Sequence, residues 1–89
     1  DVGFIGPNDM TQDYGILGQF EHPHIVAAFE RVIAAARANG KWSGVHFGSA
    51  APLAPWLSRG MQINMCGSDN GLLALGAAAM RRQLEGGVA

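Results

Sequence analysis

The chain is poor in the features that mark several protein classes. It has one cysteine in 89 residues, so no internal disulfide can form, which excludes the stapled fold of a small secreted domain. Charge is scarce: Asp, Glu, Lys and Arg make up 15% of the residues, against roughly 25% in ordinary soluble domains. The six basic and seven acidic residues leave a net charge of −1, so there is no basic field with which to neutralise phosphates, and a nucleic-acid partner is not expected. Apolar runs are short, none near the roughly 20 residues that span a bilayer, and no signal peptide opens the chain. No membrane partner is therefore expected, and the location is expected to be cytoplasmic.

What is present is apolar and small. Hydrophobic residues reach 48%, too many for a disordered chain, and there are 13 glycines. A domain of this size has a high ratio of surface to volume and should be more polar than average. The opposite composition, with the start at Asp1, predicts a piece of something larger whose neighbours cover an apolar face.

Three apolar runs alternate with three helical patterns. Val2–Ile5 reads as a buried strand stopped by the turn Gly6-Pro7-Asn8-Asp9, followed by a loop over residues 10–22. His22-Pro23-His24 opens a helix, Pro being favoured at the first helical position. Ile25, Val26, Phe29, Val32, Ile33 and Ala36 recur at helical spacing, and Asn39-Gly40 ends the helix. Ser43–Phe47 predicts a second strand, Pro52–Ser58 a second helix, and Met61–Cys66 a third strand, weakened by Gln62 and Asn64. The last helix carries Leu72, Leu73, Leu75, Ala79, Met80 and Leu84, with Gly86-Gly87 fraying its end. Strands alternating with helices predict a parallel sheet in an α/β fold. A closed (β/α)₈ barrel takes about 250 residues. Residues 1–89 therefore read as one partial TIM-barrel domain, a fragment of three βα units.

Ligands of parallel α/β folds bind beyond the carboxyl ends of the strands. The Gly6-Pro7-Asn8-Asp9 turn stands there, and Asp9 supplies a hard carboxylate oxygen suited to a divalent cation. Spacing alone leaves a second reading open, an Asp that only forms the turn and caps a helix.

The segment from Asp1 to Met10 (Asp-Val-Gly-Phe-Ile-Gly-Pro-Asn-Asp-Met) resembles the Gly-Pro-x-Asp segment of the HpcH/HpaI aldolase family. So do Gly18 with His22-Pro23, Ala38-Asn39-Gly40-Lys41 with Gly44, and Gly67-Ser68-Asp69 running to Leu72-Leu73-Ala74, in the family's order. The resemblance implies the C-terminal three βα units of a class II, metal-dependent aldolase or lyase. Such enzymes make or cleave a carbon–carbon bond through the enolate of pyruvate or a related 2-oxo acid, with an aldehyde as the other half. It implies Mg²⁺, Mn²⁺ or Co²⁺ as the cofactor, Asp9 as a metal ligand, and the backbone of Asn8 and Asp9 as the seat of the substrate carboxylate. It also implies that the remaining apparatus lies before Asp1: a Glu ligand, a proton-moving His and an Arg. No catalytic residue is then expected in this segment, and the 89-residue chain alone should be inactive. The full-length protein is expected to be a homo-oligomer, a hexamer, that exchanges its last helix.

His46 stands where the family places an apolar residue, so it is either a contact to the aldehyde half or a hydrogen-bonded structural residue. His22 and His24 read as a helix start rather than a zinc pair, because nothing completes a tetrahedral set. Cys66 reads as a buried core thiol, Ser68-Asp69 as a cap, and Trp42 and Trp56 as packing or interface residues. Two alternatives stand beside the aldolase reading. One is a non-catalytic, truncated α/β chain that assembles only with a partner. The other is a fragment of a citrate-lyase-like acyl-CoA lyase, disfavoured because Arg81-Arg82 is the only basic pair for a CoA phosphate.

Overall fold

Two short β-rich runs and one long amphipathic pattern organise the molecule. The computed structural model describes residues 1–87. Val2–Ile5 forms β1 and Trp42–Phe47 forms β2, paired in parallel with Gly3 opposite Ser43 and Ile5 opposite Val45. Between them Pro23–Ala38 forms α2, which buries Ile25, Ala28, Phe29, Ile33 and Ala36 at the three- and four-residue spacing of one helix face. His22 caps its start, Nδ1 accepting from the His24 amide at 3.1 Å, and Gly40 takes a left-handed φ of 67° just past its end. Ala50–Ser58 forms α3, two residues longer at its start than the sequence pattern predicts.

Two expectations about the chain's course are corrected. Residues 7–13 are not a turn leading into loop: Pro7–Asp13 coils into α1. Pro7 presets the helical φ, Asp9 sits in the favourable first turn, and the element is too short to display an apolar period. The third strand shrinks from Met61–Cys66 to β3, Met65–Cys66. The cause lies in the two polar side chains of that run. Gln62 Oε1 accepts from the Ser43 amide at 3.2 Å and Asn64 Oδ1 from the Val45 amide at 3.2 Å, so side chains occupy β2 donors that a ladder would use. The segment also crosses β2 at Gly44, where any Cβ would collide with the Ile63 carbonyl, so only glycine fits.

The sheet has the order β1-β2-β3, all parallel. Its helix-facing side carries Ile5, Val45 and Phe47, which join Ile25, Phe29, Ile33, Leu53, Trp56 and Met61 in one core. The opposite side is bare: Phe4 is 45% exposed and Trp42 53%. Asp69–Gly87 forms α4, which continues through Gly86-Gly87 instead of fraying there and buries no residue. Its Leu72, Leu73, Leu75, Met80 and Leu84 are 61–72% exposed, which is why the radius of gyration is 16.5 Å. A compact domain of this length has about 12 Å. Cys66, expected in the core, is exposed, because β3 is an edge strand with no layer over it. Of the two tryptophans, Trp56 is core and Trp42 is surface. Among the described residues no helix is long and apolar enough to cross a membrane.

Candidate active-site rim

Parallel pairing brings three strand ends to one edge of the sheet. Ile5 of β1 runs into Gly6-Pro7-Asn8-Asp9, Phe47 of β2 into Gly48-Ser49, and Cys66 of β3 into Gly67-Ser68-Asp69. Asp9 is exposed and carries no ion pair or hydrogen bond among the described residues, so its carboxylate is free to coordinate. It folds back over the strand end: a Cβ placed on Gly6 would lie 3.4 Å from Asp9 Oδ2, and glycine there leaves the carboxylate room.

The backbone beside it is also unspent. Gly6 caps α1 without a side-chain bond, Pro7 has no N–H, and the first internal helical bond is Met10 N to Gly6 O at 3.0 Å. Among the described residues the amides of Asn8 and Asp9 therefore have no protein acceptor, and the helix dipole adds partial positive charge where they point. A carboxylate or other oxyanion is the natural complement to such a pair.

Thr11, which the sequence pattern did not single out, holds this arrangement in place. Its side chain is fully buried; Oγ1 shares its proton between the carbonyls of Pro7 at 2.8 Å and Asn8 at 3.1 Å, and accepts from the Gly18 amide at 3.1 Å. The signal was a lone threonine between Met10 and Gln12, which has no periodicity to betray burial. Thr11→Val keeps the volume and removes all three bonds, stranding the Gly18 amide. We expect a loss of about 1–3 kcal/mol in urea unfolding; an unchanged midpoint would show that the hydroxyl does not anchor α1.

His46 is half-buried on β2, and its Nε2 lies 3.0 Å from the Gly67 carbonyl. The His22 and His24 rings are 4.9 Å apart, but the Nδ1 of His22 is engaged as the helix cap. Among the described residues no group of three His, Cys, Asp or Glu side chains could hold a metal, so this segment by itself assembles no metal centre. Ser68 behaves as a cap, its Oγ accepting from the Gly71 amide at 3.1 Å. A half-open cleft of about 650 Å³ between the 18–22 loop, α2 and α3 includes neither Asp9 nor His46, and a smaller one of about 240 Å³ lies at the opposite edge beside Lys41 and Trp42.

No family model matches the chain. A 4-hydroxy-2-oxo-heptane-1,7-dioate aldolase from Salmonella paratyphi B is 39% identical over 80 residues, which are 90% of this chain and 30% of that protein. Its counterpart from Salmonella newport matches with the same figures. The crystal structure of an HpcH/HpaI aldolase/citrate lyase family protein from Burkholderia cenocepacia superposes with a TM-score of 0.85 at 26% identity, over 96% of this chain and 33% of that one. The chain thus spans about a third of the length of these relatives, and its parallel βα units are a fragment of a TIM-barrel fold. Along nearly all of its residues, in sequence and in fold, the chain is similar to a segment of proteins of the HpcH/HpaI aldolase family.

Proposed function

We propose that these residues are the last three βα units of a class II aldolase that forms or cleaves a carbon–carbon bond through the enolate of pyruvate or a related 2-oxo acid. The observation that carries this reading is the pairing at one strand end of an unengaged carboxylate, Asp9, with two unpartnered amides, Asn8 and Asp9. A 2-oxo acid presents a carboxylate beside a carbonyl, and the strand end offers a complement to each. The amides hold and orient the substrate carboxylate by charge-assisted hydrogen bonds, which are stronger than neutral ones. Asp9 holds the divalent cation, Mg²⁺, Mn²⁺ or Co²⁺, together with carboxylate from the rest of the barrel. When bound, that cation supplies Lewis-acid polarisation of the 2-oxo group. His46 stands on the adjacent strand, where it would face the aldehyde half and tune acceptor choice through the ring nitrogen not bonded to Gly67.

Homo-oligomerisation, a hexamer by the family resemblance, would cover the leucines of α4. The acyl-CoA lyase alternative gains nothing from the geometry, since Arg81 is paired with Glu85 at 2.8 Å. The test is direct. The full-length polypeptide is assayed for aldol addition of pyruvate to a panel of aldehydes, before and after chelation and with each cation restored. Turnover that vanishes with chelator and returns with cation supports the reading; turnover indifferent to cation, or none with any 2-oxo acid, would overturn it. The 89-residue chain alone should show no turnover, because among its described residues no group of three ligand side chains completes a metal site.

A further inference from the structure

We propose that His46 is a positioning residue that pins the β3–α4 turn to the sheet and so sets where Ser68 and Asp69 stand at the rim. The consequence for catalysis rests on the aldolase reading; the anchoring itself does not. The argument begins with how little else holds that turn. β3 has two residues, paired with β2 only through His46 opposite Met65 and Phe47 opposite Cys66, and α4 buries no side chain. Yet α4 must begin at a defined place.

Gly67 provides it, and consecutive residues of β2 grip it from both sides. Its amide donates to the Phe47 carbonyl at 2.8 Å, and its own carbonyl accepts from His46 Nε2 at 3.0 Å. A carbonyl can only accept, so Nε2 must carry the proton and Nδ1 is left as the free ring nitrogen. The grip is firm because its base is firm. Phe47 is 2% exposed, its ring lying 5.1 Å from Phe20 and 6.2 Å from Phe29. Gly67 turns the chain with a left-handed φ of 84°, and α4 starts two residues on, at Asp69. There Ser68 accepts from Gly71 through Oγ at 3.1 Å and from Leu72 through its carbonyl at 2.9 Å. Position therefore passes from His46 through Gly67 to the first turn of α4.

An apolar residue at position 46 cannot make this bond, whereas glutamine retains an N–H donor at the end of its side chain. In the full-length polypeptide, backbone hydrogen exchange at Gly71 and Leu72 is expected to rise at least about fivefold in His46→Leu and to stay near wild type in His46→Gln. Equal exchange in His46→Leu and wild type, or equal acceleration in both variants, would overturn the proposal. Should His46→Leu fail to fold, nitrogen NMR of the histidine-labelled wild type decides: the Nε2–H tautomer is expected, and an Nδ1–H tautomer would overturn it. These readouts need no turnover, so a failure of the aldolase reading leaves them intact. If both readings hold, His46→Gln changes the aldehyde profile without loosening the turn, and His46→Leu does both.

Discussion

Asp9→Ala in the full-length polypeptide is expected to lower metal-dependent kcat/KM by at least about 100-fold, the loss that removing even an outer partner of a metal site can reach. The expectation joins two properties of the side chain. It is exposed and makes no contact on which folding depends, so its removal should change stability by no more than about 0.5–1 kcal/mol, most of that from its place in the first turn of α1. It also supplies the carboxylate that follows directly on the end of β1, and among the described residues no group of three ligand side chains could take over its part. Asp9→Asn separates charge from shape: the amide keeps the turn and loses the anion. Both variants should unfold near the wild-type urea midpoint while requiring far more cation for any residual turnover. Wild-type turnover at wild-type cation concentration in Asp9→Ala would remove Asp9 from the metal site.

The largest stability effect is expected at Phe29. Its side chain is fully buried, its ring centroid 4.8 Å from that of Trp56 on α3 and 6.2 Å from that of Phe47 on β2. One residue of α2 thus joins the helical layer to the sheet. Truncation to alanine loses the transfer free energy of the ring and leaves a cavity that α2, pinned by Ile25 and Ile33, cannot close. A loss of about 3–5 kcal/mol follows, a large share of a stability that is typically about 5–15 kcal/mol. Equilibrium unfolding in urea measures it directly, and a loss under about 1 kcal/mol would mean that the core repacks around the gap. Phe29 belongs to the core and not to the Gly6–Asp9 turn, so the fraction that remains folded should bind cation as the wild type does.

The elements differ in how openly the chain announces them. β1 and the long helix α2 were legible because each has a pattern and punctuation of its own: Val2, Phe4 and Ile5 before Gly-Pro, and six apolar positions between His-Pro and Asn-Gly. The parallel topology followed from their alternation, and with it the edge at which Asp9 stands. α1 was illegible, since seven residues with a proline at the start are too few to show a helical period. β3 was over-read, since Met-Gln-Ile-Asn-Met-Cys alternates like a strand while its amide side chains take the bonds a strand would make. Cys66 was read in the wrong layer and Thr11 was not singled out, because burial depends on what another segment lays over a residue.

The amino-acid order alone settles the most local matters here: where α2 starts and stops, that Val2–Ile5 extends, and that Asp9 follows a strand end. Those outcomes depend on interactions within a few residues, which neighbouring side chains and backbone preferences decide. Three others depend on distant contacts: the buried Thr11 that steadies the Asn8 and Asp9 amides, the bond from His46 to Gly67, and the bare apolar faces of the sheet and of α4. Each joins parts of the chain by closure of a loop, or lacks a cover that no local pattern specifies, so only the folded arrangement decides it.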